Sequence, residues 1–338
     1  MRAGALFAGI GGLCLGFERT GFETAWATEL DAQATETYAH NLPARRLLQK
    51  DVRCLSVKGD QLEPVDVLHA GFPCQSFSQA GTRQGFDDER GKLFFEVIRL
   101  LHEFGEYRPP VVVLENAPFL RYGEGGAWFL RLQNEIRKAG YWFREENAVE
   151  LNAATLTDLP QQRVRLFMVA LSTSHFSSGR FDFPKPTASS PKDLSKFINF
   201  DASVEHDYYL PKDNRYYHMI NGVVTGDHQI YQLRKYLVRV KEPGVCPTLT
   251  ANMGLGGHNV PFINTPIGLR KLTEFECLAL QGFPPGYSFP KGMPRAKRYT
   301  QIGNAVAVPV AEKLAHAVKE RLKREFLQDG KDRLRISA

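Results

Sequence analysis

ALFAGIGG, Ala5–Gly12, is the stretch on which the fold turns. A short apolar β-type run passes straight into clustered glycines, and LCLGF (13–17) follows with the texture of a helix. A strand that ends on a glycine turn and enters a helix opens a doubly wound α/β sheet, because glycines let the backbone pass close to a ligand. Glu29 falls 20 residues after Gly9 at the end of a second β-type run, a place from which an acid holds a ribose diol. A nicotinamide dinucleotide and S-adenosylmethionine both offer that ribose. The compact GxGG, lacking the spaced GxGxxG that suits a pyrophosphate, favours the second. Asp51, in QKDV, stands at a third strand-to-loop boundary, where it either accepts from an adenine amino group or caps a turn.

The alternation continues outward to about residue 175. DVLHA (66–70), VVVLEN (111–116) and RLFMVAL (165–171) read as strands. KLFFEVIRLLHEFG (92–105) and the segment from Trp128 to Lys138 read as helices, so the expected fold is α/β with a mostly parallel sheet. From about Ser172 to Pro294, proline, glycine, aromatics and short β-type runs replace the long periodic segments. Regular helix is expected again only after Gly303, in AVAVPVAEKLAHAVKERLKREF. The texture therefore assigns 1–175 with 295–338 to a large domain and 176–294 to a smaller, irregular and β-rich one.

The 338 residues carry 43 Lys and Arg against 37 Asp and Glu, a net charge of +6 that leans toward a polyanionic partner. With 43% hydrophobic and 24% charged residues, the composition excludes a largely disordered chain. No apolar run approaches the ~18 residues of a membrane span, and glycines interrupt the opening segment where a signal peptide would be continuous. A cytoplasmic protein without membrane association is expected. The cysteines Cys14, Cys54, Cys74, Cys246 and Cys277 show no CxxC spacing, so neither a disulfide framework nor a metal site is expected.

GFPCQSFS (71–78) follows DVLHA directly, and Gly71 and Pro73 bracket a turn that projects Cys74 at the carboxyl end of the sheet. A buried cysteine packs as a small hydrophobe, but one flanked by Pro, Gln and Ser in a loop reads as a nucleophile. VVVLENAP brings Glu115 to the same edge. Desolvation there would raise its pKa above ~4.3 and make it an acid, unless it joins Asn116 in tying down a loop. In QQRVR, β alternation puts Arg163 and Arg165 on one face, either for an anionic or carbonyl-bearing ligand or for surface ion pairs. YQLRKYLVRVK (231–241) has four basic residues and no acid; it reads as a strand facing a polyanionic partner or as an ordinary surface one.

Taken in order, these segments resemble the DNA (cytosine-5)-methyltransferases of prokaryotic restriction–modification type. FAGIGG, Glu29, Asp51, GFPCQSFS, RGKLF (90–94), Glu115–Asn116, QxRxR (161–165), RKLTEFE (270–276), QGFP (281–284) and QIGNAV (301–306) look like that family's motif series, in the family's order. The resemblance implies a Rossmann-like, S-adenosylmethionine-dependent large domain and a target-recognition domain. It assigns the methyl donor to Phe7, Ala8, Gly9, Ile10, Gly11, Gly12, Glu29 and Leu30, with Asp51, Val52, Pro73, Leu93, Asn304 and Ala305. Catalysis falls to Cys74, Glu115, Arg163 and Arg165. DNA contacts fall to Gln75, Ser76, Ser78 and Gln161 beside the active centre, and to Arg234, Arg239, Thr248, Leu249 and Thr250 in the recognition domain. Thr28 and Leu30 flank Glu29 where the family more often has Asn and Ile, a departure that bears on donor affinity.

The chemistry explains the residue types. Carbon 5 of cytosine is a poor nucleophile until a thiolate adds at carbon 6. The resemblance gives that thiolate to Cys74, with Arg163 and Arg165 favouring its ionisation, Glu115 facing N3 and Arg163 facing O2. A duplex hides these atoms, so the cytosine must be flipped out. The implied partner is duplex DNA, bound by a monomer that either shares its site with a cognate restriction endonuclease or works alone in a phage or bacterium. Two alternatives remain. RNA (tRNA) cytosine-5 methyltransferases carry a second cysteine where this chain has Glu115, or a Cys-Phe-Thr signature that is missing here. A non-catalytic DNA-binding relative would not need every catalytic residue type retained.

Overall fold

A computed structural model describes residues 1–73, 91–186, 192–226, 228–255 and 259–328. The chain forms two compact units, one of Met1–Leu151, Val164–Lys185 and the residues from Val310, the other of Asn152–Arg163 and Pro186–Pro309. Residues 152–163 and 295–309, which the texture assigns to the large domain, thus pack with the smaller unit. Their side chains meet buried polar partners too distant in sequence for a local pattern to register.

The first unit is built on β1 (Arg2–Leu6), β2 (Glu23–Glu29), β3 (Leu47–Gln49), β4 (Val67–Ala70), β5 (Val111–Asn116), β6 (Tyr141–Trp142), β7 (Ala148–Asn152) and β9 (Val164–Ser172). They lie in the order β3-β2-β1-β4-β5-β9-β6, with β7 also on β9. The first five strands pair parallel, whereas β9 runs antiparallel to both β5 and β6. The order reverses between β1 and β4, and it is at such a switch point that doubly wound sheets open a ligand crevice. β4 and β5 are buried throughout, as central parallel strands must be. The helix Leu93–Glu103 turns Phe94, Val97, Ile98 and Leu101 onto one side of the sheet, and the helix Ala127–Lys138 adds Phe129, Leu132 and Ile136 to the same core. Behind the glycine turn, Gly16 of the helix Gly12–Arg19 lets the C-terminal helix Val308–Gln328 approach closely, since a Cβ there would stand 2.4 Å from that of Ala311.

The second unit holds an antiparallel sheet ordered β11-β10-β13-β14, from β10 (Ile230–Arg234), β11 (Leu237–Val240), β13 (Val260–Asn264) and β14 (Leu269–Lys271). Tyr231, Leu233, Val260, Phe262 and Leu269 form its core. The two-residue strands β8 (Gln161–Gln162) and β12 (Cys246–Pro247) pair parallel nearby in the same unit. Two findings depart from the sequence expectation. Helix returns before Gly303, at Glu274–Leu280 and Arg295–Asn304; the first begins with a capping box in which Thr273 and Glu276 satisfy each other's backbone amides. YQLRKYLVRVK is also not one strand but a hairpin. Arg234 pairs with Leu237, and Lys235 and Tyr236 make a two-residue turn without the Gly or Asn that usually announces one.

Candidate active site

In the first unit the carboxyl ends of β1, β2, β3 and β5 bring the glycine turn, Glu29, Asp51 and Glu115 to one edge of the sheet. After β1 the backbone enters left-handed conformations at Phe7 (φ 55°), Gly9 (φ 55°) and Gly11 (φ 83°), and Gly11 is the N-cap of the following helix. A Cβ on Gly9 would meet nothing within 4 Å, so the loop borders open space there. At Gly11, by contrast, a side chain would collide with Leu42. Ile10 is buried beneath the turn. Glu29 closes over it from the end of β2: Gly9 N donates to Oε2 at 2.7 Å, and Leu30 and Asp31 donate their amides to Oε1 at 2.8 and 2.9 Å. Ala8 N donates to Thr28 O, fastening the turn to β2. Leu30 itself is 61% exposed.

Asp51 follows β3 and caps the short turn Val52–Cys54, accepting from Arg53 N at 2.9 Å. The hydrogen-bonded Arg53 side chain holds its carboxyl below the usual carboxylate range. Val52 is buried, and Pro73 and Leu93 are half-buried.

Glu115, next to last in β5, is 8% exposed, and Arg165 Nε stands 3.2 Å from its Oε1. It is a buried carboxylate with a guanidinium partner, not the lone desolvated acid that the apolar run implies. The adjacent β4 runs level with β5, Ala70 beside Leu114, so Gly71 comes abreast of Glu115. A Cβ on Gly71 would lie 3.4 Å from Glu115 Oε2, so the turn after β4 runs in van der Waals contact with this carboxylate. Asn116, wholly buried, donates from Nδ2 to Phe72 O at 3.0 Å and accepts from Ala117 N at 2.8 Å, pinning the segment that leads to residue 74. Cys74, Gln75, Ser76 and Ser78 lie outside the described residues. Of the other cysteines, Cys14, Cys246 and Cys277 are buried thiols. Burial pushes Cys14 up to about 12, and Cys246 and Cys277 upward as well, so none of the three is suited to supply a thiolate.

Arg163 requires a correction. Alternation pairs it with Arg165 at a ligand, but the strand breaks at 163 and its guanidinium donates to three backbone carbonyls of the second unit: Leu249, Gly303 and Ala305. Gln161 and Leu249, expected to touch DNA, are likewise buried, and Leu249 N donates to Gln161 Oε1 at 3.1 Å. Thr248 and Thr250 flank Leu249. Thr248 Oγ1 donates to Gln162 O at 2.5 Å and Thr250 Oγ1 to Asn252 Oδ1 at 2.6 Å. Asn304 is exposed between buried Gly303 and Ala305.

Arg234 is half-buried and Arg239 exposed on the hairpin, whose edge strand β11 also exposes Leu237 and Val240. Tyr236, which the sequence pattern does not single out, is 78% exposed at the tip with Lys235 Nζ 5.1 Å from its ring centre. Among the described residues no group of His, Cys, Asp and Glu could hold a metal ion, and no helix is long and apolar enough to cross a membrane.

A model of the C-5 cytosine-specific DNA methylase family matches residues 1–320. Among curated proteins, the chain is 39% identical over 322 residues to the Type II methyltransferase M.Bsp6I of Bacillus sp. (strain RFL6), covering 94% of this chain and 98% of that one. It is 31% identical to M.HpaII of Haemophilus parainfluenzae, covering 94% and 88%, and 30% identical to M.HhaI of Haemophilus parahaemolyticus, covering 93% and 92%. Among solved structures, the Dnmt2 methyltransferase of S. pombe superposes with a TM-score of 0.74 at 18% identity over 95% of this chain and 99% of that one. At that identity the likeness speaks for the fold alone.

Proposed function

The chain belongs to the C-5 cytosine-specific DNA methylase family, and on that premise we propose that it carries the methyl group of S-adenosylmethionine to carbon 5 of one cytosine in a specific duplex DNA sequence, the base being turned out of the helix to react. The observation that carries this reading is the Glu115–Arg165 pair at 3.2 Å, beside a segment that Asn116 fastens and that leads to Cys74.

The glycine turn fits an adenosyl-bearing donor: bare backbone at Gly9 faces open space, and the Glu29 carboxylate lies against that same amide. When bound, the donor supplies an electrophilic methyl on a sulfonium. Glu29 would hold its ribose hydroxyls, Asp51 and Val52 its adenine, and Phe7 to Gly12, Leu30, Pro73, Leu93, Asn304 and Ala305 would complete the contacts.

In the reaction, the Cys74 thiolate forms a bond to carbon 6 and the ring's electron pair moves toward N3 and O2. Glu115 takes up a proton when the base enters and gives N3 that proton or a hydrogen bond from it. We give O2 to Arg165 in place of Arg163, because Arg165 is the guanidinium paired with Glu115. Carbon 5 would then attack the methyl carbon, whose bond to the donor sulfur breaks with the electron pair staying on sulfur as a neutral thioether; a base removes the carbon 5 proton, and the returning electron pair expels the thiolate. Gln75, Ser76 and Ser78 would contact the DNA near the centre, with Arg234, Arg239, Thr248 and Thr250 reading or gripping it elsewhere.

Labelled methyl donor offered with duplex DNA or with tRNA tests the reading, and bisulfite sequencing of DNA from expressing cells locates the cytosine. Label should enter duplex DNA at carbon 5. Label found only in tRNA would overturn the substrate assignment.

A further inference from the structure

Within the second unit, four segments far apart in sequence meet on three buried polar side chains. Arg163 is 3% exposed, and Gln161 and Gln281 are fully enclosed. Arg163 donates from Nη1 to Leu249 O at 2.8 Å and from Nη2 to both Gly303 O at 2.9 Å and Ala305 O at 2.8 Å. Gln161 accepts from Leu249 N and donates to Leu280 O at 3.0 Å and Gln281 Oε1 at 3.1 Å. Gln281 in turn donates to Ile302 O at 2.8 Å and Ala305 O at 3.3 Å. Leu249 is thereby held through both its backbone groups, and the carbonyls on either side of Asn304 converge on one nitrogen. Those neighbours are buried, so Asn304 is the residue of the turn presented outward. The approach is close: a Cβ on Gly303 would stand 2.2 Å from Thr250 C and Ala251 N.

We propose that Arg163 and Gln281 are positioning residues for methyl transfer, clamping the Gly303–Asn304–Ala305 turn onto the Thr248–Thr250 segment so that the Asn304 side chain is presented in one fixed geometry. This rests on the assignment of Asn304 to the donor made above. A guanidinium suits the task because its planar fork reaches several carbonyls at fixed angles, whereas an ammonium acts as a point charge. Buried, its charge is also spread over three carbonyl dipoles, as an enclosed cation requires.

The test measures donor affinity by calorimetry on the full-length protein without DNA, together with steady-state kinetics. Arg163→Lys keeps the charge but not the fork, and should weaken donor binding by roughly tenfold, the equivalent of one lost charge-assisted hydrogen bond. Gln281→Met removes only the neutral half of the clamp, and should raise donor Kd and KM by about threefold to tenfold while kcat at saturation stays within about threefold. Since both side chains hold Ala305 O, the double variant should lose less than the product of the two. If Arg163→Lys gives no cooperative thermal transition, Gln281→Met decides alone. Unchanged donor Kd in a folded Gln281→Met, or a kcat collapse with KM unmoved, would overturn the proposal. A wild-type protein that binds no donor would instead defeat the underlying methyltransferase reading.

Discussion

Arg165 stands beside Glu115 because β9 runs antiparallel to β5: the start of one strand lies against the end of the other, with Asn116 opposite Leu166 and Glu115 opposite Phe167. A parallel crossover would have delivered the arginine to the far edge of the sheet. The reversal therefore adds a cation to an edge that otherwise collects loop backbone and carboxylates.

The pair should be separable by what each partner leaves behind. Glu115→Gln keeps the shape and removes the charge, so we expect a single-turnover rate loss of about 10² with near-normal DNA affinity. Arg165→Ala should cost both rate and stability, since it strips a largely buried carboxylate of its cation, and Glu115→Gln added to it should recover part of the stability. Thermal melts of the four proteins read this directly. Equal melting temperatures for wild type and Arg165→Ala would show that the contact does no structural work.

Cys74→Ser should abolish methyl transfer while donor binding persists, because the glycine turn and Glu29 are untouched. Duplex DNA carrying 5-fluorocytosine at the target should trap the wild-type protein covalently in the presence of donor, since fluorine cannot leave carbon 5 as a proton does. Turnover by the serine variant, or an adduct through another residue, would remove Cys74 from its role.

The parts of this site legible in sequence are those written in contiguous residues. ALFAGIGG, VVVLEN and the Glu29 spacing each encode a strand and its terminus, and the structure forms those strands. Arg163 misled because alternation assumes a continuous strand, whereas β9 begins at Val164, and the partners of Arg163 lie at Leu249, Gly303 and Ala305. The hairpin stayed hidden for a related reason, since Lys235–Tyr236 carries none of the usual turn chemistry. The capping box Thr273–Glu276 was written plainly as T-x-x-E, and would have announced the helix that the proline-rich texture obscured.

The exposed hairpin carries Lys235, Tyr236 and Arg239 with no acidic residue between Tyr231 and Lys241. If Arg239 meets a phosphate, Arg239→Ala should weaken binding to all sequences and flatten the dependence of log K on log salt by about one unit. If it reads a base, discrimination against the wrong sequence should fall by about 1–3 kcal/mol with the salt slope intact. Tyr236→Ala should weaken cognate binding without altering the slope. Filter binding at several salt concentrations separates the cases, and wild-type behaviour of both variants would place the hairpin away from DNA.

His69 should make stability depend on pH in a way that one substitution removes. It lies on β4, enclosed, its ring stacked on Phe17 at 5.0 Å, and its Nε2 has no hydrogen-bond partner among the described residues. Burial lowers its pKa from 6.5 to about 3. The unfolded chain therefore takes up a proton between about pH 6.5 and 3 that the folded protein refuses, so this residue's contribution to stability falls as pH drops through 6.5 and levels off below 3. At pH 5 the loss relative to pH 8 should be about 2 kcal/mol, at 1.36 kcal/mol per unit of pH. His69→Leu cannot take up that proton in either state, so urea unfolding at pH 5 and pH 8 should differ by about 2 kcal/mol less in the variant than in wild type. The same pH dependence in both proteins would mean that the imidazole is protonated in the folded state, and that β4 accommodates a charge at its centre.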